Sequence, residues 1–192
     1  MDPAAAPRPG ETRDATEPLR QARRYETPLA WVKAVDLAAY RSIRRLAYDP
    51  ERVRAVRAFS TLGEYAGLWF AIGAAGMVLD PPRRARWRRG MWGVAFAHAC
   101  SSTIKQAIGR QRPAVEDLPH LMRTPTGLSF PSTHSATSFA AARAYSGGLL
   151  PAGPMYSLAA AMALSRVYLG VHYPSDVTAG ALVGLVAGSV GR

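Results

Sequence analysis

The segment AFSTLGEYAGLWFAIGAAGMVL, residues 58–79, carries a single charged residue, Glu64, among apolar and small side chains. As an α-helix it would be about 30 Å long, which matches the hydrocarbon core of a bilayer. We therefore predict a membrane-spanning helix here, and this segment decides the fold class of the chain. The alternative is a helix of a soluble bundle, to which the mean hydropathy of -0.05 is better suited.

Four more helical segments follow, interrupted by Pro-containing stretches such as the predicted loop at residues 118–129. They lie at residues 91–109, 132–150, 155–169 and 174–190. Their Gly, Ala and Ser content is typical of membrane helices that pack closely on each other. No segment alternates with a period of two, so we predict an all-α fold, an integral membrane helical bundle of about five spans.

The N-terminal region has a different composition. Residues 1–25 are Pro-rich and charged, which predicts a disordered tail, and they lack the apolar core of a secretory signal. Residues 26–57 include an amphipathic helix with a basic face, and Trp31 and Tyr40 at its flanks favour a membrane interface over a protein core. We predict one domain at residues 26–192, with an interfacial helix region at 26–57 and the bundle core at 58–192.

The chain has 24 Lys and Arg against 13 Asp and Glu, a formal charge of +11. This charge suits an anionic partner, which is a nucleic acid, a phospholipid surface or a phosphorylated substrate. The single cysteine, Cys100, excludes an internal disulfide framework and a cysteine-based zinc site.

Five arginines lie between residues 83 and 89, in the predicted loop between the first two spans. By the positive-inside rule this short loop is cytoplasmic, although the basic N-terminal region would then lie outside. The far end of the second span, with Lys105, is therefore expected on the extracytoplasmic side.

Lys105 and Arg112 are seven residues apart, a rotation of about 700° on a continuing helix, so both would project from nearly the same face. Pro113 would then end that helix. Two such cations at the mouth of an apolar segment need an anion between them, unless they are ordinary surface charges at a helix end. We expect Arg110 to face solvent.

The tetrad Pro131-Ser132-Thr133-His134 places a proline at the start of a helix. The first backbone N–H groups after it have no partner in the helix and form an anion site, to which the Ser132 hydroxyl adds a donor. His134 would lie at the edge of the same anion, or else would cap or pack the helix start.

His172 and Asp176 are four residues apart, with Pro174 at a predicted helix start between them. A hydrogen bond from one imidazole nitrogen to Asp176 would fix the tautomer and leave the other nitrogen free to attack. Arg166 supplies a planar guanidinium that can bind two phosphate oxygens.

Together these residues provide cations, helix N-terminal donors, two histidines and one carboxylate, which suits phosphoryl transfer without a metal. No carboxylate cluster suggests a metal site, and we predict no cofactor.

Three motifs resemble the signatures of the type-2 phosphatidate phosphatase superfamily in order and spacing. They are Lys105-x6-Arg112-Pro113, Pro131-Ser-Thr-His134 and Ser165-Arg166-x5-His172-x3-Asp176, and the resemblance covers about residue 63 to the C-terminus.

This resemblance implies a helical bundle in which His172 attacks the phosphorus, Asp176 supports it and His134 protonates the leaving alcohol. The implied phosphate-binding residues are Lys105, Arg112, Ser132, Thr133 and Arg166. Thr133 stands where the family usually has glycine, so its backbone donor is kept and its side chain narrows the pocket.

The family also includes soluble acid phosphatases, sugar phosphatases and vanadium haloperoxidases, so the substrate is a separate question. The predicted spans favour a lipid phosphate in the cell membrane: phosphatidate, phosphatidylglycerol phosphate, or a polyprenyl phosphate or diphosphate. The short, Arg-rich chain is similar to actinobacterial members that act on polyprenyl-linked substrates of cell-wall synthesis. The alternatives are a non-enzymatic basic membrane protein that binds anionic lipid or nucleic acid, and a haloperoxidase-like enzyme that uses vanadate; we expect no nucleic-acid partner.

Overall fold

The computed structural model describes residues 28–46, 49–146 and 148–190. The tail predicted at residues 1–25 lies outside this part. The described residues form seven α-helices and two short 3₁₀ turns, which confirms the all-α prediction. The helices are α1 (Pro28–Arg44), α2 (Pro50–Thr61), α3 (Gly67–Leu79), α4 (Arg84–Ile108), α5 (Thr133–Tyr145), α6 (Ala152–Tyr168) and α7 (Pro174–Val190).

Helix α5 lies at the centre of the bundle and packs most closely on α7. Three glycines of α7, one turn apart, allow this approach. A Cβ atom at Gly180, Gly184 or Gly188 would lie 2.4, 2.2 or 2.5 Å from the backbone oxygen of Ser132, Ala136 or Ala140, respectively, which cap or belong to α5. Small residues at such a seam let two helix backbones meet directly. The seam brings the N-terminal ends of α5 and α7 together, and the Ser132 N–H donates to the Asp176 carbonyl at 2.9 Å.

The prediction of one continuous helix at residues 58–79 is wrong, because the helix is interrupted there. Helix α2 ends at Thr61, the 3₁₀ turn Glu64–Ala66 follows, and the helices on either side are bent by 51°. Tyr65 and Ala66 have φ angles of 50° and 60°, which a continuous helix does not allow. The break carries Glu64 to the cavity described below.

The second predicted helix starts earlier than the sequence indicated. Helix α4 begins at Arg84, and only the 3₁₀ turn Pro81–Arg83 separates it from α3. Most of the arginine run therefore lies in the first turns of α4 rather than in a loop. The helix predicted at residues 132–150 ends earlier, at Tyr145, and the one predicted at residues 155–169 begins earlier, at Ala152. The helix predicted at residues 174–190 has the observed bounds of α7.

Helix α1 is amphipathic, as predicted, but its packing differs from the expectation. Tyr40 is fully buried and its hydroxyl donates to the Gly170 carbonyl at 3.3 Å, so Tyr40 is no interfacial anchor, whereas Trp31 is 44% exposed. Part of the basic face binds protein, because Arg44 donates to two backbone carbonyls and Arg41 pairs with Asp117 at 2.7 Å.

Within the described residues, no single helix has both the length and the hydropathy expected of a membrane span. The bent pair formed by Pro50–Thr61 and Glu64–Leu79 meets these criteria when taken together, and α7 is a shorter apolar helix.

Candidate active site

A cavity of about 190 Å³ opens beside the N-terminal end of α5. Six of the eight predicted site residues line it: Lys105, Arg112, Thr133, His134, Arg166 and His172. The cavity also has a second group of polar lining residues, which the three motifs do not include: Glu64, His98, Ser102 and Gln106. The structure therefore brings the three sequence motifs to one place.

Lys105, Arg112 and Arg166 form what we call the phosphate wall. None of them is within ion-pair distance of a carboxylate of the described residues. Lys105 Nζ donates instead to the Ser129 and Pro131 carbonyls at 2.9 and 2.7 Å. Clustered cations without anionic partners repel each other, and an incoming phosphate relieves that repulsion.

Lys105 and Arg112 both line the cavity, but the backbone structure that places them there differs from the prediction. Helix α4 ends at Ile108 with Gly109 in the left-handed conformation (φ 65°), so the two cations do not share one helix face. Arg112 lies instead in the following loop, where its Nε donates to the Thr126 carbonyl at 2.8 Å and its Nη1 donates to the Val171 carbonyl at 2.6 Å. Gly109, and not Pro113, ends the helix.

Arg166 lies at the end of α6 and is 2% exposed. Its Nη1 donates to the Ser60 hydroxyl at 2.6 Å, while its Nε is buried and has no hydrogen-bond partner among the described residues. A buried guanidinium N–H without an acceptor costs free energy, and a phosphate oxygen in the cavity would satisfy it.

His172 lies in the short connection between α6 and α7 and is 2% exposed. Its Nε2 is 3.2 Å from Arg112 Nη1, which can only donate, so Nε2 is the acceptor and carries the lone pair. The proton of the neutral ring is then on Nδ1, on the side away from the cavity. This is the tautomer in which Nε2 can attack a phosphorus atom.

Ser129 bridges His172 and Asp176. Its hydroxyl oxygen is 3.2 Å from His172 Nδ1 and donates a short hydrogen bond to Asp176 Oδ2. The direct distance from Nδ1 to Asp176 Oδ2 is 3.5 Å, longer than a good hydrogen bond. The sequence pattern predicted the His172–Asp176 neighbourhood but missed Ser129, whose only signal is its place two residues before Pro131.

His134 faces the cavity from the first turn of α5, and its Nε2 is buried without a hydrogen-bond partner in the described chain. Its ring lies against the broken helix: a Cβ at Gly63 would be 2.8 Å from His134 Cδ2 and 2.7 Å from Met162 Sδ. The interruption of the helix near Gly63 thus fixes one side of the imidazole. The unpaired Nε2 of His134 is available for proton transfer.

Ser132 and Thr133 differ in position. Thr133 lines the cavity, whereas Ser132 is fully buried behind it, and its hydroxyl accepts a hydrogen bond from the Ser135 N–H at 3.4 Å as the cap of α5. Phosphate binding by the Ser132 hydroxyl stays a prediction.

Arg110 does not face solvent freely, contrary to the prediction. It is 28% exposed, and its guanidinium pairs with Asp176 at 2.9 Å and with Asp36 of α1 at 2.6 Å. We call Ser129, Asp176, Arg110 and Asp36 the rear network. Asp36 could have been suspected from the sequence, because it is a lone carboxylate four residues before Tyr40 on the face of α1 that packs on protein.

The electrostatics of the loop residues follow from this arrangement. Burial, then the charges of Arg112, Arg166 and Lys105, lower the pKa of His172 well below its usual value, so its ring is neutral at pH 7. Burial lowers the pKa of Arg112 to about 10, which leaves it charged at neutral pH. The site therefore combines a neutral His172 ring with a positively charged wall.

Metal ligands are not grouped in this part of the molecule. Among the described residues, no three His, Cys, Asp or Glu side chains are placed to hold one metal ion.

The sequence profile of the PAP2 superfamily matches residues 90–191, a range that contains every predicted site residue. The chain belongs to the PAP2 superfamily, as the three motifs indicated, and is an enzyme that hydrolyses phosphate esters.

Relatives and structural neighbours agree with this classification. Decaprenylphosphoryl-5-phosphoribose phosphatase of Mycolicibacterium smegmatis is 41% identical over 137 residues, covering 70% of this chain and 74% of that protein. The crystal structure of Aquifex aeolicus LpxE superimposes with a TM-score of 0.69 at 26% identity, over 82% of this chain and 94% of the other. The transmembrane PAP2-type phosphatidylglycerolphosphate phosphatase of Bacillus subtilis shares the fold, with a TM-score of 0.68 at 23% identity over 90% and 89% of the two chains.

Proposed function

We propose that this protein is an integral membrane phosphatase that removes the terminal phosphate from a polyprenyl-linked sugar phosphate through a phosphohistidine on His172. The observation that carries the proposal is one cavity lined by His134 and His172 of the motifs and by three cations that have no carboxylate partner among the described residues.

In the first step, His172 Nε2 forms a bond to phosphorus while the phosphorus–oxygen ester bond breaks. Protonated His134 gives its proton to the leaving alkoxide, and the negative charge of the bound phosphate favours the imidazolium form of His134. Lys105, Arg112 and Arg166 neutralise the charge on the equatorial oxygens. The product of this step is the free alcohol and a phosphoimidazolium on His172.

In the second step, neutral His134 takes a proton from a water molecule, whose oxygen bonds to phosphorus as the phosphorus–Nε2 bond breaks. Inorganic phosphate leaves, and His172 returns to its neutral form with the proton on Nδ1. Ser129 and Asp176 keep that proton in place throughout and stabilise the positive ring of the intermediate.

Two observations support a sugar phosphate as the substrate. The relative with 41% identity is named for decaprenylphosphoryl-5-phosphoribose. In addition, Glu64, His98 and Ser102 line the cavity beside the phosphate wall, and His98 Nδ1 is buried without a partner among the described residues. Carboxylate, imidazole and hydroxyl groups suit the hydroxyls of a sugar better than the plain chain of a polyprenyl monophosphate.

We further propose that the active site opens on the extracytoplasmic side. Arg89 and Lys105 are about 24 Å apart along α4, so the arginine cluster and the phosphate wall lie toward opposite ends of that helix. The positive-inside rule favours the cytoplasm for the arginine end. A Cys100→Ala background with one new cysteine, Glu116→Cys, tests this: an impermeant maleimide should label intact cells, and labelling only after permeabilisation would contradict the proposed side.

The substrate test is a phosphate-release assay with purified protein in detergent. The panel contains a polyprenylphosphoryl-5-phosphoribose, a polyprenyl monophosphate, a polyprenyl diphosphate and a short-chain phosphatidate, with His172→Ala as the blank. We expect the highest kcat/KM with the phosphoribose lipid. Release from phosphatidate but from none of the polyprenyl lipids would overturn the substrate, and no release above the blank would overturn the activity.

The covalent step has its own test. A ³²P-labelled substrate, quenched in alkali, should leave an acid-labile label on the protein. His134→Ala should retain that label because hydrolysis of the phosphohistidine has lost its base, whereas His172→Ala should carry none. An equal label in His172→Ala would place the intermediate elsewhere.

A further inference from the structure

Asp36 on α1 lies at the rear of the active site, and its side chain is 3% exposed. Its Oδ1 accepts a hydrogen bond from the Ser175 N–H at 2.8 Å, and its Oδ2 accepts one from the Ser175 hydroxyl at 2.5 Å. Ser175 is in the first turn of α7, where backbone N–H groups have no helical acceptor and a negative charge is favoured. Asp36 therefore fixes α1 to the helix end that carries Asp176.

Arg110 connects the two carboxylates. Its Nη2 donates to Asp36 Oδ2 at 2.6 Å and its Nη1 to Asp176 Oδ1 at 2.9 Å, while its Cζ lies 4.4 Å from the centre of the Tyr173 ring. A planar guanidinium held by two partners and an aromatic face has little freedom. The position of the Arg110 charge relative to Asp176 is thus set in part by Asp36.

The three charged groups together carry a net charge of minus one on the Nδ1 side of His172. When Nε2 bonds to phosphorus, the ring becomes positive, and this net negative charge stabilises it. Without the Asp36 charge, Arg110 would neutralise Asp176 alone and the net charge behind the ring would be zero. Asp176 would then support the phosphoimidazolium less.

We infer that Asp36 is a positioning residue of the reaction, which acts through Arg110 to hold Asp176 in place and effectively anionic behind His172. The inference rests on the proposed function of His172 as nucleophile. Asp36 lies outside the part of the chain that matches the family profile, residues 90–191, so α1 would complete the active site from outside that region.

A second role of Asp36 has to be separated from this one, because the same contacts dock α1 on the bundle. The chain offers a matched control. Arg41 of α1 pairs with Asp117 through two hydrogen bonds of 2.7 and 3.1 Å, and this pair also joins α1 to the body of the protein. It contains neither Arg110 nor Asp176, so losing it should loosen α1 without changing the charge behind His172.

The experiment compares Asp36→Asn and Asp117→Asn in the phosphate-release assay, with thermal unfolding of both variants in detergent. Asn keeps the size of Asp36 and part of its hydrogen bonding. We expect Asp36→Asn to lower kcat about tenfold with KM changed less than about twofold, as for other residues that orient a catalytic group from behind. We expect Asp117→Asn to lower the unfolding temperature at least as much as Asp36→Asn while kcat stays at the wild-type value.

A pair of variants at Arg110 and Asp36 tests whether charge, and not packing alone, explains the change in kcat. Arg110→Gln leaves two buried carboxylates that repel each other without their shared cation, so Asp176 is no longer held in place behind His172. We expect a loss of kcat on the order of a hundredfold. Adding Asp36→Asn to Arg110→Gln removes that repulsion, so the double variant should be more active than Arg110→Gln alone. Such non-additivity identifies two residues that act on one group.

The outcomes are distinct. Equal kcat losses in Asp36→Asn and Asp117→Asn, or a wild-type kcat in a folded Asp36→Asn, would overturn the inference while wild-type activity and an inactive His172→Ala leave the proposed function standing. If Asp36→Asn does not fold, Arg110→Lys decides instead: it keeps a positive charge between the two carboxylates and should be more active than Arg110→Gln, and equal activity of these two variants would overturn the inference. Inactive wild-type protein would instead overturn the proposed function.

Discussion

The two sides of the His172 ring differ in how their charges are paired. On the cavity side, the phosphate wall has cations that bind carbonyls, a hydroxyl and a thioether, but no carboxylate among the described residues. On the other side, the rear network pairs each carboxylate with Arg110 and hydrogen-bonds it further. Under the proposed function this difference is a division of tasks: unpaired charge binds the incoming phosphate at the expense of stability, and paired charge holds His172 in position.

The largest effect should come from the wall. Arg166→Ala removes the buried guanidinium with the unsatisfied Nε, and we expect kcat/KM to fall about a thousandfold, because a donor to the transition-state oxygens is lost from a dry site. Arg166→Lys keeps the charge and loses the planar guanidinium, so its kcat/KM should lie between those of the wild type and Arg166→Ala. Phosphate-release kinetics measure both.

The same comparison predicts the opposite sign for stability. Removing one of three mutually repelling cations should raise the unfolding temperature of Arg166→Ala, or leave it unchanged after the loss of the Ser60 hydrogen bond. Arg54→Ala, at an exposed site with an ion pair to Glu51, is the control and should keep full activity. A marked loss of stability in Arg166→Ala together with wild-type kcat/KM would mean that Arg166 is structural.

The wall was predictable from the sequence, whereas of the rear network only Asp176 was. The wall residues belong to motifs with fixed local spacing, so their types and order were enough, even though the predicted shared helix of Lys105 and Arg112 does not exist. The rear contacts join residues far apart in the chain, 74 positions for Asp36 and Arg110 and 47 for Ser129 and Asp176. No pattern in the local sequence predicts these contacts, because they arise from how α1 and the loop before α5 pack on α7.

The fold shows the same limit. Helix existence followed from the apolar segments, but the break at residues 62–66 did not, since Gly63 and Glu64 look like tolerable residues within a span. The break becomes understandable only when His134 and Met162 are seen to occupy the space beside Gly63.

A second prediction concerns the seam that holds the wall and the rear network together. Gly184→Ala places a Cβ 2.2 Å from the Ala136 carbonyl oxygen, which is backbone and cannot turn away. We expect a loss of about 1–3 kcal/mol in the free energy of unfolding, and lower activity because His134 and His172 move apart. Gly153→Ala is the matched control: nothing lies within 4 Å of its Cβ, and it should keep or slightly raise stability. Equal unfolding temperatures for the two variants would contradict the close seam.

A third prediction tests the bridge in the rear network. Ser129→Ala removes the hydroxyl between His172 Nδ1 and Asp176, and we expect kcat to fall about tenfold with KM nearly unchanged, since Ser129 does not line the cavity. Ser135→Ala is the control, because Ser135 is an equally buried serine whose hydroxyl donates across the same seam to the Val177 carbonyl at 2.6 Å. It should affect stability alone. A larger loss of kcat in Ser135→Ala than in Ser129→Ala would remove Ser129 from the network.

The smallest expected effect is a change in the pH dependence of kcat/KM. It tests whether the wall cations act on the His172 ring. Burial and the wall cations lower the pKa of His172 in the folded protein. Its ring therefore stays neutral as the pH falls through about 6.5, the ordinary pKa of histidine. The acid limb of kcat/KM that reports His172 should therefore lie below pH 6.5. The unfolded chain takes up the proton first, so this group contributes stability above about pH 6.5 that is lost as pH falls toward the folded pKa.

In Arg112→Gln one wall charge is gone, the pKa of His172 rises, and the acid limb of kcat/KM should move to higher pH at reduced activity. An acid limb that stays in place in Arg112→Gln would show that the wall does not act on the His172 ring, and the division between the two sides would then be one of packing and not of charge.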